Sequence, residues 1–107
     1  MYTPHVKICC IKNVDEATMA VQYGASAIGL VSEMPSGPGP ITESVITEIS
    51  STIPPGVSTF LLTSLTDARE IIEQQRRCRT NTVQLTDRLQ TGTYAELRVA
   101  LPGVRIV

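Results

Sequence analysis

Ala27-Ile28-Gly29-Leu30-Val31 is an unbroken run of small and branched apolar residues. A strand with one face in water would carry a polar residue at every second position. A continuous run instead predicts a strand covered on both faces, as in parallel sheets. Its flanks agree. Upstream, a helix over 14–23 puts Val14, Ala17 and Val21 on one stripe, which Gly24 continues and ends, while Asn13 stands as the N-cap. Downstream, Ser36-Gly37-Pro38-Gly39-Pro40 is too rich in Gly and Pro for regular structure, so a loop follows.

The same unit repeats along the chain. β-Rich runs occupy residues 6–11, 27–31, 57–63, 82–85 and 104–107, with starts 21, 30, 25 and 22 residues apart. Each interval is the length of one strand plus one helix. A second helix over 43–53 carries Val45, Ile46, Ile49 and Ile53 and ends at Pro54-Pro55-Gly56. A third over 67–78 aligns Ala68, Ile71, Ile72 and Gln75, with Thr66 able to cap it. A fourth over 94–101 begins with the capping-box pair Thr93 and Glu96 and stops at Pro102-Gly103.

Alternation of this kind is α/β with right-handed crossovers. It fits a doubly wound open sheet or a (βα)8 barrel. No GxGxxG follows the first strand and no Walker A sequence occurs, which removes the main support for a nucleotide-binding sheet. The final run, 104–107, has no helix after it, as expected where a barrel is divided in the middle. A whole barrel needs roughly 200 residues or more. The expectation is therefore the first half of a (βα)8 TIM barrel, β1α1β2α2β3α3β4α4β5, as one unit over residues 1–107. Its strands should lie in sequential order with all helices on one face.

Composition narrows the function. The 107 residues carry a net charge of −1, with 18% charged and 42% apolar. Arg76, Arg77 and Arg79 form the tightest basic stretch, but they end a helix, where they complement its dipole. Nucleic acid is not an expected partner. No apolar run reaches the length of a membrane span and no basic-then-apolar leader opens the chain, so no membrane is expected and the cytoplasm is the default. Cys9, Cys10 and Cys78 are an odd count with no disulfide framework. One histidine and no CxxC leave no expected metal site.

The strongest chemical signal is Val6-Lys7-Ile8-Cys9-Cys10-Ile11. Strand alternation puts Lys7 and Cys9 on one face and Ile8 and Cys10 on the other, toward the helices. An ammonium beside a thiol favours the thiolate and suits it to act as a base or nucleophile. Cysteine is also among the most buried residue types, so pattern alone leaves a structural role open for both. The Gly/Pro loop at 36–40 has the same two readings: a plain connection, or an active-site loop at the carboxyl end of a strand.

Family resemblance adds to this. Val6-Lys7-Ile8-Cys9 with Ile11-Lys12-Asn13-Val14 resembles the V-K-I-C-G-I-T opening of phosphoribosylanthranilate isomerases. Gly24-Ala25-Ser26-Ala27-Ile28-Gly29-Leu30-Val31 is similar to their G-A-D-A-I-G-F-V second strand, and Val83-Gln84-Leu85 to their V-Q-L-H-G fourth strand. The resemblance implies a cofactor-free (βα)8 enzyme of tryptophan biosynthesis. It converts N-(5-phosphoribosyl)anthranilate to a 1-deoxyribulose phosphate by an Amadori rearrangement. The base maps to Cys9, and substrate contacts to Lys7, Gln84 and the position of Gly39. Three departures accompany it. Cys10 replaces the family's glycine, Gly39 its loop arginine and Thr86 its histidine. The general acid and phosphate-binding loops belong to later strands of that fold, and Asp87 reads as an ordinary loop acid.

The resemblance thus implies a phosphosugar substrate and an activity that needs a missing C-terminal half. The losses at Gly39 and Thr86 suggest instead a divergent phosphosugar-binding barrel. A third possibility, a non-catalytic half-barrel, follows from strand edges that need covering. Its inner face, with side chains such as Phe60 or Leu61, would be an apolar patch met by a second copy.

Overall fold

The structure, a computed structural model, describes residues 5–35, 37 and 39–107. Ser36 and Pro38 of the Gly/Pro loop lie outside the described residues. Five strands and four helices alternate: β1 (Lys7–Ile8), α1 (Val14–Gln22), β2 (Ala27–Val31), α2 (Glu43–Thr52), β3 (Ser58–Thr63), α3 (Ala68–Cys78), β4 (Thr82–Leu85), α4 (Tyr94–Ala100) and β5 (Arg105–Ile106). Every pairing is parallel and the sheet order is β1-β2-β3-β4-β5. A doubly wound sheet reverses direction at a switch point; this sheet does not, which leaves the barrel segment.

Register divides the strand residues between two faces. Leu30, Leu61, Val83 and Ile106 lie side by side in one row. Their face meets the helices. Ile28, Leu30 and Leu61 pack with Ala17 of α1, Ile46 and Ile49 of α2 and Cys78 of α3. Val83 packs with Ala68 and Ile71 of α3 and Leu97 of α4. Burial of each such aliphatic side chain contributes about 1.5–3 kcal/mol, so this layer dominates the stability. The alternate residues Lys7, Gly29, Phe60 and Gln84 form the opposite, open face. Of the two side chains expected on the inner face, Phe60 lies there, and Leu61 belongs to the helical core instead.

The helix ends follow the local chemistry of their caps. Asn13 accepts a hydrogen bond from the Glu16 N–H at 2.8 Å, and Glu16 accepts one from the Lys12 N–H at 2.8 Å. Thr42 and Thr93 cap α2 and α4. At α3 the cap is Asp67, which accepts from the Arg69 N–H at 2.8 Å, rather than Thr66. The Thr66 carbonyl instead accepts from the Gln90 and Thr91 N–H groups, tying this loop to the one before α4.

β1 is two residues long, shorter than the expected run over 6–11. The cause is Cys10, whose φ of +59° takes the chain out of extended geometry.

Candidate active site

Cys9 follows directly on β1, at the carboxyl end of the strand, where barrel enzymes hold their chemistry. Its Sγ lies 2.9 Å from the point a Cβ on Gly29 would occupy, and the Lys7 Cε lies 3.3 Å from that point. The two side chains therefore share the space over Gly29, as alternation required. Gly29 is needed for this approach: the Cys9 Cα is itself only 3.2 Å from that Cβ position. No sequence motif marked Gly29 for the role. The parallel register of β2 with β1, which sets Ile8 beside Ile28, is what brings it under the site.

The Lys7 ammonium is turned across the sheet. It sits 4.1 Å from the centroid of the Phe60 ring and donates a short hydrogen bond to Gln84 Oε1. A cation over an aromatic face and a charge-assisted hydrogen bond together fix an otherwise mobile side chain. Lys7, Cys9 and Gln84, separate in the sequence, thus meet on the open face. Phe60 is half-buried beneath the ammonium, so the apolar patch expected there is partly covered.

Cys10 departs from expectation. It was to face the helical layer, but a left-handed residue breaks strand alternation. Its Sγ instead lies 2.8 Å, and its Cβ 3.0 Å, from where a Cβ on Gly39 would stand. The thiol therefore fills space beside the loop after β2. Burial first, then a side-chain hydrogen bond and the charge of Cys9, pushes the Cys10 thiol up, partly offset by Lys12. A thiol that keeps its proton is a poor base at neutral pH.

Gly39 has φ +100°, a region that side-chain-bearing residues rarely adopt. The loop carrying it leaves and returns at one place. Pro40 bridges to Val31 and the Ile41 N–H donates to the Val31 carbonyl at 2.9 Å. Thr86, in the position of the family's histidine, turns its hydroxyl back to the Thr63 carbonyl at 3.1 Å. Asp87 is exposed.

Cys78 is wholly buried in the helical core, its thiol pushed up to about 11 by burial and by Glu43. That is a structural cysteine. Among the described residues no cluster of three or more His, Cys, Asp or Glu could hold a metal, and no helix is long and apolar enough to cross a membrane.

A cleft lies elsewhere, between α3 and the segment that joins β2 to the start of α2. It measures about 960 Å³ and is lined by Glu33, Met34, Ile41, Glu43, Gln74 and Arg77, among others. It contains none of the residues gathered over Gly29.

No protein-family model matches the chain. An N-(5'-phosphoribosyl)anthranilate isomerase 2 of Methanosarcina mazei is 33% identical over 103 residues, covering 95% of this chain and 46% of the relative. The phosphoribosyl anthranilate isomerase of Thermococcus kodakaraensis superposes with a TM-score of 0.82 at 19% identity, over 97% of this chain and 48% of its own. A third such isomerase, solved with reduced 1-(o-carboxyphenylamino)-1-deoxyribulose 5-phosphate, gives a TM-score of 0.77 at 24% identity over 97% of this chain and 52% of its own. The chain spans about half the length of the curated relatives it matches. In sequence and in fold, it is a relative of the phosphoribosylanthranilate isomerases that corresponds to about half of their barrel.

Proposed function

We propose that the protein carrying this chain is a phosphoribosylanthranilate isomerase, and that this half supplies the catalytic base. The observation that carries the reading is the meeting of Cys9 and Lys7 over Gly29 at the carboxyl end of β1. It lies within a chain whose likeness to named isomerases runs over 95% of its length. The ligand of the third structure above, a deoxyribulose phosphate, supports a phosphosugar substrate of the same class.

In the proposed reaction a general acid protonates the furanose ring oxygen, and the ring opens to an iminium. The Cys9 thiolate then removes the proton from sugar C2. The electron pair moves into the C1–C2 bond and onto the nitrogen, giving an enolamine that tautomerises to the ketone. The iminium is the electron sink, so no cofactor is required. Lys7, held by Phe60 and Gln84, supplies positive charge beside the base, and Gln84 an amide toward the substrate. The loop at Gly39 borders the same end of the sheet. The acid and the phosphate site come from later strands of the barrel. Those strands, or a second copy of the chain, would also cover the β1 and β5 edges. An enzyme of amino-acid biosynthesis is expected in the cytoplasm.

The test is Cys9→Ser in that protein, assayed with phosphoribosylanthranilate. A serine hydroxyl is too weak an acid to provide an anionic base near pH 7, yet its size still admits substrate. Turnover should fall by roughly 10²–10⁴-fold with a smaller change in KM. Near-parental turnover would overturn the assignment. One observation favours a second reading, a divergent barrel acting on another phosphosugar. Gly39 offers no side chain and Thr86 spends its hydroxyl on Thr63, so two family contacts are missing. Turnover of a different aminated or keto phosphosugar, with none of phosphoribosylanthranilate, would select it.

A further inference from the structure

Two adjacent cysteines on a regular strand would point to opposite faces and never meet. Here the left-handed φ of Cys10 ends the strand between them. Both thiols stand at the carboxyl end of β1, one over Gly29 and the other against Gly39. They are close enough for a side-chain hydrogen bond, and Cys9 is exposed. We propose that Cys9 and Cys10 form a reversible oxidation site, closed to an intramolecular disulfide by a peroxide-class oxidant.

The steps balance. The Cys9 thiolate attacks one oxygen of hydrogen peroxide. The O–O bond breaks, Cys9 becomes a sulfenic acid, and hydroxide leaves as water on taking a proton. The Cys10 sulfur then attacks the Cys9 sulfur. The S–S bond forms, the S–O bond breaks, and a second water leaves with the Cys10 proton. Two thiols are oxidised and one peroxide is reduced. Cys10 suits the second role: burial and the neighbouring Cys9 hold its thiol up, while Cys9 is the exposed thiol that the oxidant meets first. Cys78, buried in the helical core, does not compete.

Chain geometry makes the product labile. Consecutive Cα atoms are about 3.8 Å apart across a trans peptide. Disulfides usually span about 4.4–6.8 Å between Cα atoms, so bridging neighbours strains the link and makes it easily reduced. Such a bond is a switch rather than a staple. Its effect on turnover rests on Cys9 being the base; its formation does not.

The experiment treats the protein with hydrogen peroxide, alkylates remaining thiols and maps the peptides by mass. The peptide holding Cys9 and Cys10 should lose two hydrogen atoms, resist alkylation, and recover on treatment with dithiothreitol. In Cys10→Gly the same dose should instead add oxygen to Cys9, with no recovery from the sulfinic stage. Oxygen added at Cys9 in the parent while Cys10 stays alkylatable would overturn the proposal. So would a bridge to Cys78 or to a second chain. A Cys9–Cys10 disulfide that leaves isomerase turnover intact would uphold the oxidation site and refute Cys9 as the base.

Discussion

Cys10 and Gly39 are expected to be coupled, because the thiol of one occupies the place of the other's missing side chain. In Gly39→Ala the new methyl would meet Cys10 Sγ at 2.8 Å and its Cβ at 3.0 Å, both inside contact distance. Residue 39 would also hold φ near +100° with a Cβ attached. The backbone penalty is about 1–2 kcal/mol, and the overpacking about 1–3 kcal/mol. The parent should therefore lose about 2–5 kcal/mol on this change. In a Cys10→Gly background the nearest remaining atom is the residue-10 Cα at 3.6 Å, an ordinary contact. There the same change should cost only the backbone part. The assay is a double-mutant cycle in denaturant, with urea midpoints and slopes for the parent, both single variants and the double variant. The expected coupling is about 1–3 kcal/mol. Additivity within about 0.5 kcal/mol would refute the idea that Cys10 fills the Gly39 space. The same reasoning says that an arginine at 39 is admissible only once Cys10 has become glycine.

Gly29→Ala should push Cys9 and Lys7 off the sheet, since its methyl would lie 2.9 Å from Sγ and 3.2 Å from the Cys9 backbone. A cost of about 1–3 kcal/mol in a thermal melt is expected. Turnover should fall about 10²-fold, and parental values for both would remove Gly29 from the site. The Arg77 guanidinium, hydrogen-bonded to Glu43 at 2.6 Å, holds that carboxyl below its ordinary value, with Gln74 adding a weaker bond. A depressed carboxyl stabilises the fold above the ordinary value of 4.5 and loses that contribution as pH falls through its folded value. Glu43→Gln should therefore flatten the loss of melting temperature between pH 5 and pH 3, by a small amount because the pair is exposed. An unchanged acid slope would contradict this.

Much of the architecture was legible in local pattern. Asn13, Gly24, Pro54 and Thr93 punctuate helices through their own backbone chemistry, which needs no partner from elsewhere in the chain. The unbroken run at 27–31 declared a strand covered on both faces, and β2 has those bounds. Placement of Lys7 and Cys9 on one face followed from a period of two. Other features arise between segments distant in sequence. Gly29 lies beneath the Cys9 thiol because parallel register set β2 beside β1, and Phe60 lies beneath the Lys7 ammonium because β3 follows on the far side of β2, with Phe60 level with Gly29. Leu61 entered the helical core by the same register. Asp67 caps α3, while the loop before α4 engages the Thr66 carbonyl. Cys10 is the clearest case. Local alternation sent it to the helices, while the observed left-handed turn set it against a loop nearly thirty residues away. Residue types and their spacing thus determined the elements, their order of appearance and the residues fit for proton chemistry. Which of those residues meet was decided by the packing of one unit against the next, since a contact between units depends on register and turn geometry that no single segment contains.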